Sequence, residues 1–396
     1  MLFSLSRLAA ALIALTLPVA AEDTPHPSNW SAVEEAARGQ HVHWYAWGGE
    51  SHINDYIAWV GDTVSERYGV TLSQVKLADT AEAVARVLAE TTAGRTTGGA
   101  VDLVWINGEN FVAMKENGLL QGGAWAEALP NRELVDLDQY GPAILTDFAV
   151  PVDGQQSPWG RAQLVFLYDE ARTEPPNSLE ALVKFAETNP GRFTYPRPPN
   201  FIGTSFLKQV LLDTVPDPSV LLRPAGEVGE ALVRANMLPV LEALHPNLWR
   251  RGGTFPSSVA DLRRLFSDGE IALALTHNPS DGEAAIRAGL LPPSVRVAAF
   301  DGGTLGNVHF VAVPHNAADK AGAFVVANFL LSPEAQARKA DPEIWGDPSV
   351  IKAGALSTAS DQALNNAPGV AAPTLQEPHA SWTPIIERVW AETFLQ

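Results

Sequence analysis

Two hydrophobic periods alternate along this chain: short unbroken apolar runs, and longer stretches with a single apolar face. The first run, His41-Val42-His43-Trp44-Tyr45-Ala46-Trp47, predicts a buried strand that ends in the glycine turn Gly48-Gly49. Ser51 then caps a helix in which Ile53, Ile57, Val60 and Val64 recur at helical spacing, until Gly69 supplies the left-handed stop. Val70 to Leu77 is a second strand. Thr80 opens a helix carrying Val84, Val87 and Leu88 on one face, and Val101 to Ile106 is a third strand, continuously apolar as in parallel sheets. Strand, helix, strand, helix, strand predicts a right-handed doubly wound α/β layer. Ligands gather at the C-terminal ends of such strands. The turn after Trp47 and the turn Asn107-Gly108-Glu109-Asn110 are therefore expected side by side at one sheet edge.

Further on, Ser157 to Tyr168 reads as a crossing to a second region, with Pro158-Trp159-Gly160-Arg161 leading into the apolar strand Leu164 to Tyr168. The second region is expected to hold a helix from Ser178, a strand Arg192 to Tyr195, and helices over Thr204 to Leu212, Gly226 to Leu244 and Ser257 to Phe266. The strand Ile271 to Leu275 ends in Thr276-His277-Asn278-Pro279, from which the chain is expected to cross back. Val295 to Phe300 and Val308 to Val313 read as strands, Ala317 to Leu331 as a helix, and Ser332-Pro333-Glu334 as the start of another.

A chain of 396 residues, 46% hydrophobic and 18% charged, is globular and long enough for two domains. Its first 21 residues differ in kind: Arg7 precedes the apolar Leu8 to Val19, and Val19-Ala20-Ala21 suits a signal peptidase, with cleavage expected before Glu22. A membrane anchor is the weaker reading, because the run is short and Pro18 breaks it. There is no cysteine, so disulfides, thiolate metal sites and a lipidated cysteine are all excluded. The net charge of -18 repels nucleic acid. These features together predict a freely diffusing periplasmic protein.

No G-x-S-x-G elbow, H-E-x-x-H, Walker loop or G-x-G-x-x-G occurs, and the spacing in Gly302-Gly303-Thr304-Leu305-Gly306 is wrong for the last of these. His41 and His43 share a strand face but begin the strand, away from the expected cleft, so no metal is assigned; His277 and His309 read as hydrogen-bonded strand-end histidines. Trp44 points opposite to Tyr45 and Trp47 and is expected in the core. Trp47 is the favoured ligand contact, because Gly48 and Gly49 let a ligand reach the backbone beside it. Trp159 and Arg161 at the crossing either hold a ligand or lock two lobes. Phe201 leads into a helix start at Thr204 and Ser205, which either caps the helix or favours an anion.

Val308-His309-Phe310-Val311-Ala312-Val313-Pro314-His315, Lys320 to Phe324 and the Asn328 to Gln336 element containing Leu331-Ser332-Pro333-Glu334-Ala335-Gln336 resemble the periplasmic solute-binding proteins of bacterial ABC importers. Within these, Ala46-Trp47-Gly48-Gly49, Asn54-Asp55-Tyr56-Ile57, Trp105 to Phe111 and Met114 to Leu120 look like the YnjB-type subgroup. The resemblance implies an α/β periplasmic-binding-protein fold of type II, with two lobes, a hinge of two chain crossings and a ligand cleft between them. It also implies delivery to an inner-membrane ABC permease with its ATPase. Relatives of this type carry polyamines, thiamine, sugars, iron or other anions; the iron binders use adjacent tyrosines, and no Tyr-Tyr pair occurs here.

The expected division is a signal peptide over 1–21, the first lobe over 22–155 and 281–340, the second over 156–280, and a C-terminal helical segment over 341–396 packed on the lobes. The expected cleft draws on Trp47, Gly48, Gly49, Glu50, Asn107, Glu109 and Asn110 from one side. From the crossing and the other side come Trp159, Arg161, Phe201, Thr204, Ser205, Thr276 and Asn278. Glu50 or Glu109 beside aromatic rings favours a cation, the helix start near Thr204 an anion, and a zwitterion satisfies both. No cofactor, no metal and no nucleic acid is expected, and the protein is expected to be a monomer. A secreted enzyme such as a hydrolase on the same scaffold is the alternative, and a ligand-free sensor a third reading.

Overall fold

The computed structural model describes residues 24–355 and 372–395, so the expected signal peptide lies outside the described residues. In the first lobe, β1 (His41–Trp47) pairs in parallel with β2 (Thr71–Leu77) on one side and β3 (Leu103–Ile106) on the other. Register runs from His41 opposite Thr71 to Trp47 opposite Leu77, so the strands end together at one edge. Helix α1 spans Trp30–Ala37 and helix α2 Ser51–Tyr68, where Ile53, Ile57, Val60 and Val64 form the buried stripe. Gly69 ends α2 at φ 69°, and its N–H donates to the Ser65 and Val64 carbonyls. Helices α3 (Ala81–Thr92) and α4 (Gly108–Glu116) follow β2 and β3.

Helix α5 (Leu137–Leu145) leads into a small hairpin, β4 (Thr146–Asp147) and β5 (Val150–Pro151). Strand β6 (Gln156–Gln163) then runs toward the second lobe, whose sheet has β7 (Val165–Asp169) at its centre. Helices α6 (Leu179–Thr188), α7 (Phe201–Thr214), α8 (Gly229–Leu244) and α9 (Val259–Ser267) precede β8 (Leu273–Thr276). After it come α10 (Asp281–Arg287) and β9 (Val295–Ala298), and both β8 and β9 pair antiparallel with β7.

This places the return of the chain later than expected. Residues 281–303 do not belong to the first lobe, because β9 completes the second sheet and Ala285, Leu291, Val295 and Phe300 sit in the second core. The turn at Thr276 to Pro279 feeds α10 back over its own sheet. The crossing is β10 (Thr304–Ala312), paired antiparallel with both β6 and β3. Leu305 lies in the second core and Val308 and Phe310 to Ala312 in the first, so one strand belongs to both lobes. The antiparallel β6 and β10 pair is the hinge.

Helix α11 (Lys320–Leu330) packs beneath β1, where Gly322 permits the approach: a Cβ there would stand 2.7 Å from Cγ2 of Val42. Helix α12 (Pro333–Ala340) follows, with Ser332 accepting from the Ala335 N–H as its cap. The C-terminal segment lies in the first core through Ile351 and joins the second through Trp382, Ile386, Val389 and Trp390. The last three sit on α13 (Thr383–Phe394), where burying each large side chain contributes roughly 1.5–3 kcal/mol.

Candidate ligand cleft

Parallel alignment of β1, β2 and β3 brings Trp47, Asp79 and Glu109 to the same edge, facing the second lobe. A polar network sets the first turn. The Gln74 amide donates to the Trp47 carbonyl at 3.3 Å and to Asn54 Oδ1 at 2.9 Å, and Asn54 donates to the Gly48 carbonyl at 3.1 Å. Trp47 is half-buried, and its indole lies over Gly49, where an added Cβ would stand 2.3 Å from Cζ2 of the ring. Gly48 is equally constrained, by the Lys76 side chain at 2.6 Å. The two glycines therefore make room for neighbouring side chains of the lobe itself.

The second turn rests on a buried carboxylate. Asp147 accepts from the Gly108 N–H at 2.8 Å and from Gln156 at 2.9 Å. Burial pushes Asp147 up to about 7, with the charges of Glu109 and Glu377 adding to the shift. Phe148 and Ala149 close the hairpin at φ 43° and 58°, a left-handed pair that Asn-Gly would adopt more easily. Such strain persists where the surroundings enforce it. Here it seats the Phe148 ring between Gly108 and the Lys208 ammonium, 3.9 Å from the ring centroid. Asn107 and Asn110 are half-buried on either side of the exposed Glu109.

From the second lobe, α7 presents Phe201, Thr204, Ser205 and Lys208. The helix begins earlier than expected, with Asn200 as its cap accepting from the Ile202 N–H at 3.1 Å. Thr204 donates its own N–H to the Asn200 carbonyl, so Thr204 and Ser205 do not offer the free amides of a helix start. Instead the Thr204 hydroxyl donates to Glu387 on α13 at 2.6 Å. Lys208 is buried and pairs with buried Glu377 at 3.2 Å. Phe201 is exposed and packs on the His277 ring at 5.0 Å. Thr276 Oγ1 accepts from the Asn278 N–H, while the Asn278 amide donates to the Trp345 carbonyl of the first lobe at 3.1 Å.

Two expected contacts lie elsewhere. Trp159 is fully buried, packed edge-on to Trp44 at 5.3 Å, Trp105 at 4.9 Å and Trp345 at 5.4 Å. It is enclosed by the first core and does not open on the cleft. Arg161 lies over the Tyr140 ring at 3.8 Å, and its Nε donates to the Ser349 carbonyl, which ties the crossing strand to the C-terminal segment. Glu50 does bridge the lobes: Arg263 of α9 stands 3.2 Å from it, and 3.1 Å from Asp281 of α10. Trp44 is core, as expected.

Glu387, Glu377, Lys208 and Asp147 were not among the expected residues, yet they carry much of the charge here. Burial raises the Glu387 carboxyl, and the negative charges of Glu109 and Asp79 across the cleft raise it further. Burial likewise raises Glu377, with Glu109 again contributing. Glu109 is thus the common neighbour of three carboxyls drawn from both lobes, and Lys208 is the cation among them. Among the described residues, no group of three or more His, Cys, Asp or Glu is disposed to hold a metal, and no helix is long and apolar enough to cross a membrane.

Two α/β lobes, joined by antiparallel crossing strands that pass beneath a polar cleft, define a type II periplasmic binding protein. The family description "Bacterial extracellular solute-binding protein" matches residues 59–372, and the chain belongs to that family. It is similar to Protein YnjB of Escherichia coli (strain K12), at 46% identity over 371 residues, 93% of this chain and 95% of that one. Among solved structures it resembles an ABC transporter substrate-binding protein from Bradyrhizobium japonicum, with TM-score 0.65 at 16% identity over 90% of this chain and 100% of the other. It also resembles the spermidine/putrescine transporter substrate-binding protein PotD of Streptococcus pneumoniae, with TM-score 0.62 at 14% identity over 90% and 100%. The apo ferric ion-binding protein A of Pasteurella haemolytica gives TM-score 0.62 at 14% identity over 89% and 97%. These likenesses are likenesses of fold.

Proposed function

We propose that this solute-binding protein captures a small organic cation, or a zwitterion entered amine first, between its lobes in the periplasm and delivers it to an ABC permease with its ATPase. The observation that carries the ligand class is the convergence of Asp79, Glu109 and Glu387 at the cleft, with Lys208 already matched by Glu377. The buried Glu387 carboxyl, whose proton affinity is raised by burial and by the charges of Glu109 and Asp79, is relieved when a cation arrives between them. Trp47 at the same edge supplies an aromatic face, worth about 0.5–2 kcal/mol toward a cation.

Binding is favoured over catalysis by the way the perturbed groups are used. Asp147 and Glu377 are buried carboxyls near each other with raised proton affinity, the kind of site that can serve acid-base chemistry. Both oxygens of Asp147 already accept hydrogen bonds, and Glu377 is paired with Lys208. A thermal-shift screen of the mature chain against amines, amino acids, thiamine, sugars and anions tests the proposal. A selective rise with amine-bearing solutes supports it; a rise confined to sugars or anions overturns the ligand class.

A further inference from the structure

Two polar side chains of the second lobe are left over from the charge pairing above. Both ring nitrogens of His277 are shielded and without a hydrogen-bond partner, although part of the ring remains open. The Ser205 hydroxyl is fully buried and without a partner as well. A helical serine ordinarily bonds back to the carbonyl one turn earlier; this one does not. Ser205 lies between Phe201 and Lys208 on α7, at positions i, i+4 and i+7, so the three share a face. His277 meets that face from the turn after β8: its ring packs on Phe201 at 5.0 Å, and burial keeps the imidazole neutral, with His309 and the Lys208 charge adding to it. A neutral imidazole carries one donor and one acceptor, and a serine hydroxyl one donor and two acceptor sites. Buried polar groups are normally matched, so unmet capacity on two side chains that both neighbour Phe201 calls for a ligand atom.

We propose that Ser205 and His277 form a second subsite, which takes an oxygen-bearing end of the solute opposite its amine. This rests on the amine-binding reading and sharpens it: the solute is bifunctional, with an ammonium among Asp79, Glu109 and Glu387 and a hydroxyl or carboxylate against Ser205 and His277. Lys208 lies on the same helix face but is already paired with Glu377, so the hydrogen-bonding groups of Ser205 and His277 define the subsite.

Isothermal titration of three probe series, each of three to six carbons, tests this: plain alkylamines, ω-amino alcohols and ω-amino acids. The wild type binds an oxygen-bearing series about tenfold or more tighter than the alkylamines, because a site built to hydrogen-bond rejects the analogue that lacks the group. His277→Phe keeps the ring volume and abolishes that preference, while alkylamine binding stays within about twofold. His277→Asn, which retains a donor and an acceptor, keeps part of the preference, and Ser205→Ala lowers it without reducing thermal stability. Amino alcohols and amino acids serve as separate arms, and the tighter one identifies the terminus. Equal binding of all three series by the wild type, or an undiminished preference in His277→Phe, overturns the subsite and leaves amine binding standing. Failure of the wild type to bind any of the probes removes the amine reading itself, and the subsite with it.

Discussion

Glu50 on the first lobe and Arg263 on the second stand 3.2 Å apart, with Asp281 meeting the same Nη2 of the guanidinium at 3.1 Å. Both partners are less than a quarter exposed, at 19% and 22% of their side-chain surfaces, so the pair is screened less than a surface bridge. It joins elements that share no core, and it can form only when the lobes are closed together. Glu50→Gln removes this bridge while leaving Arg263 its Asp281 partner. The expected result is a shift of the ligand-free ensemble toward the open form by roughly 1 kcal/mol, a several-fold change in the closed population. Small-angle scattering reads it as a larger radius of gyration, and an unchanged radius would show that the bridge does not govern closure.

The indole of Trp47 lies where a Gly49 side chain would be. Gly49→Ala must displace the ring, because the new Cβ would come within 2.3 Å of it. Gly49 itself is exposed, so the variant is expected to lose little thermal stability. Amine affinity should nonetheless fall by about 2- to 30-fold, the range of one lost cation-π contact. Trp47→Ala should fall as far. Titration calorimetry on both variants checks this, and wild-type affinity in either would remove Trp47 from the ligand wall.

Asp147 makes stability depend on pH in a direction opposite to a salt-bridged aspartate. Its folded value is about 7 against an ordinary 3.8, so the folded state holds the proton more tightly than the unfolded chain does. Stability from this group is fully present below the unfolded value and is lost as pH rises through 7. Asp147→Asn keeps an acceptor for Gly108, and the free Oε1 of Gln156 can accept from the new amide. The melting temperature of Asp147→Asn relative to wild type should therefore climb between pH 4 and pH 7 and level off above. The limiting difference is roughly 4 kcal/mol. A difference that stays flat across that window would contradict the assignment.

Tyr195 links α13 to the second lobe. Its hydroxyl accepts from the Trp390 indole at 2.7 Å and lies 2.7 Å from His245 Nε2, where all three side chains are buried. Burial lowers His245 to about 4, so the imidazole is neutral and Nε2 accepts the phenol proton. Tyr195→Phe strands a buried donor and a buried acceptor and should cost about 2–4 kcal/mol, read by urea denaturation. A loss below the error of the fit would mean that α13 is held by apolar packing alone.

The sheet of the first lobe was readable because each strand is an unbroken apolar run closed by glycine or a polar turn, as at Trp47-Gly48-Gly49 and Ile106-Asn107-Gly108. What escaped was where distant segments land. The run Val295 to Phe300 announces a strand but not its partner, and β9 pairs with β7 inside the second lobe. Trp159 precedes a glycine just as Trp47 does, which invited the same reading. Yet Gly160 is required by packing: a Cβ there would stand 2.1 Å from Asp347 Oδ2, within the buried pair that Asp347 makes with Lys339. Glu377 and Glu387 come from the last twenty residues of the chain, and only folding sets them beside Lys208 and Thr204. Glu387 had one local sign, an acidic position beside the apolar face that carries Ile386, Val389 and Trp390, and Glu377 had none. Lys208 had a comparable sign, a lone charge within the apolar run Phe206 to Leu212.

Amine recognition by the acidic edge is tested most directly by calorimetric titration of mature wild type, Glu109→Gln and Glu387→Gln with the amine-bearing probes. Wild type should bind at least one of them, and Glu109→Gln, which removes the charge common to all three carboxyls, should weaken that binding by about tenfold at low salt, with the effect fading as salt rises. Glu387→Gln should weaken it as well, while both variants melt within a few degrees of wild type. Absence of amine binding by the wild type, or binding indifferent to both substitutions, would contradict amine recognition at this edge.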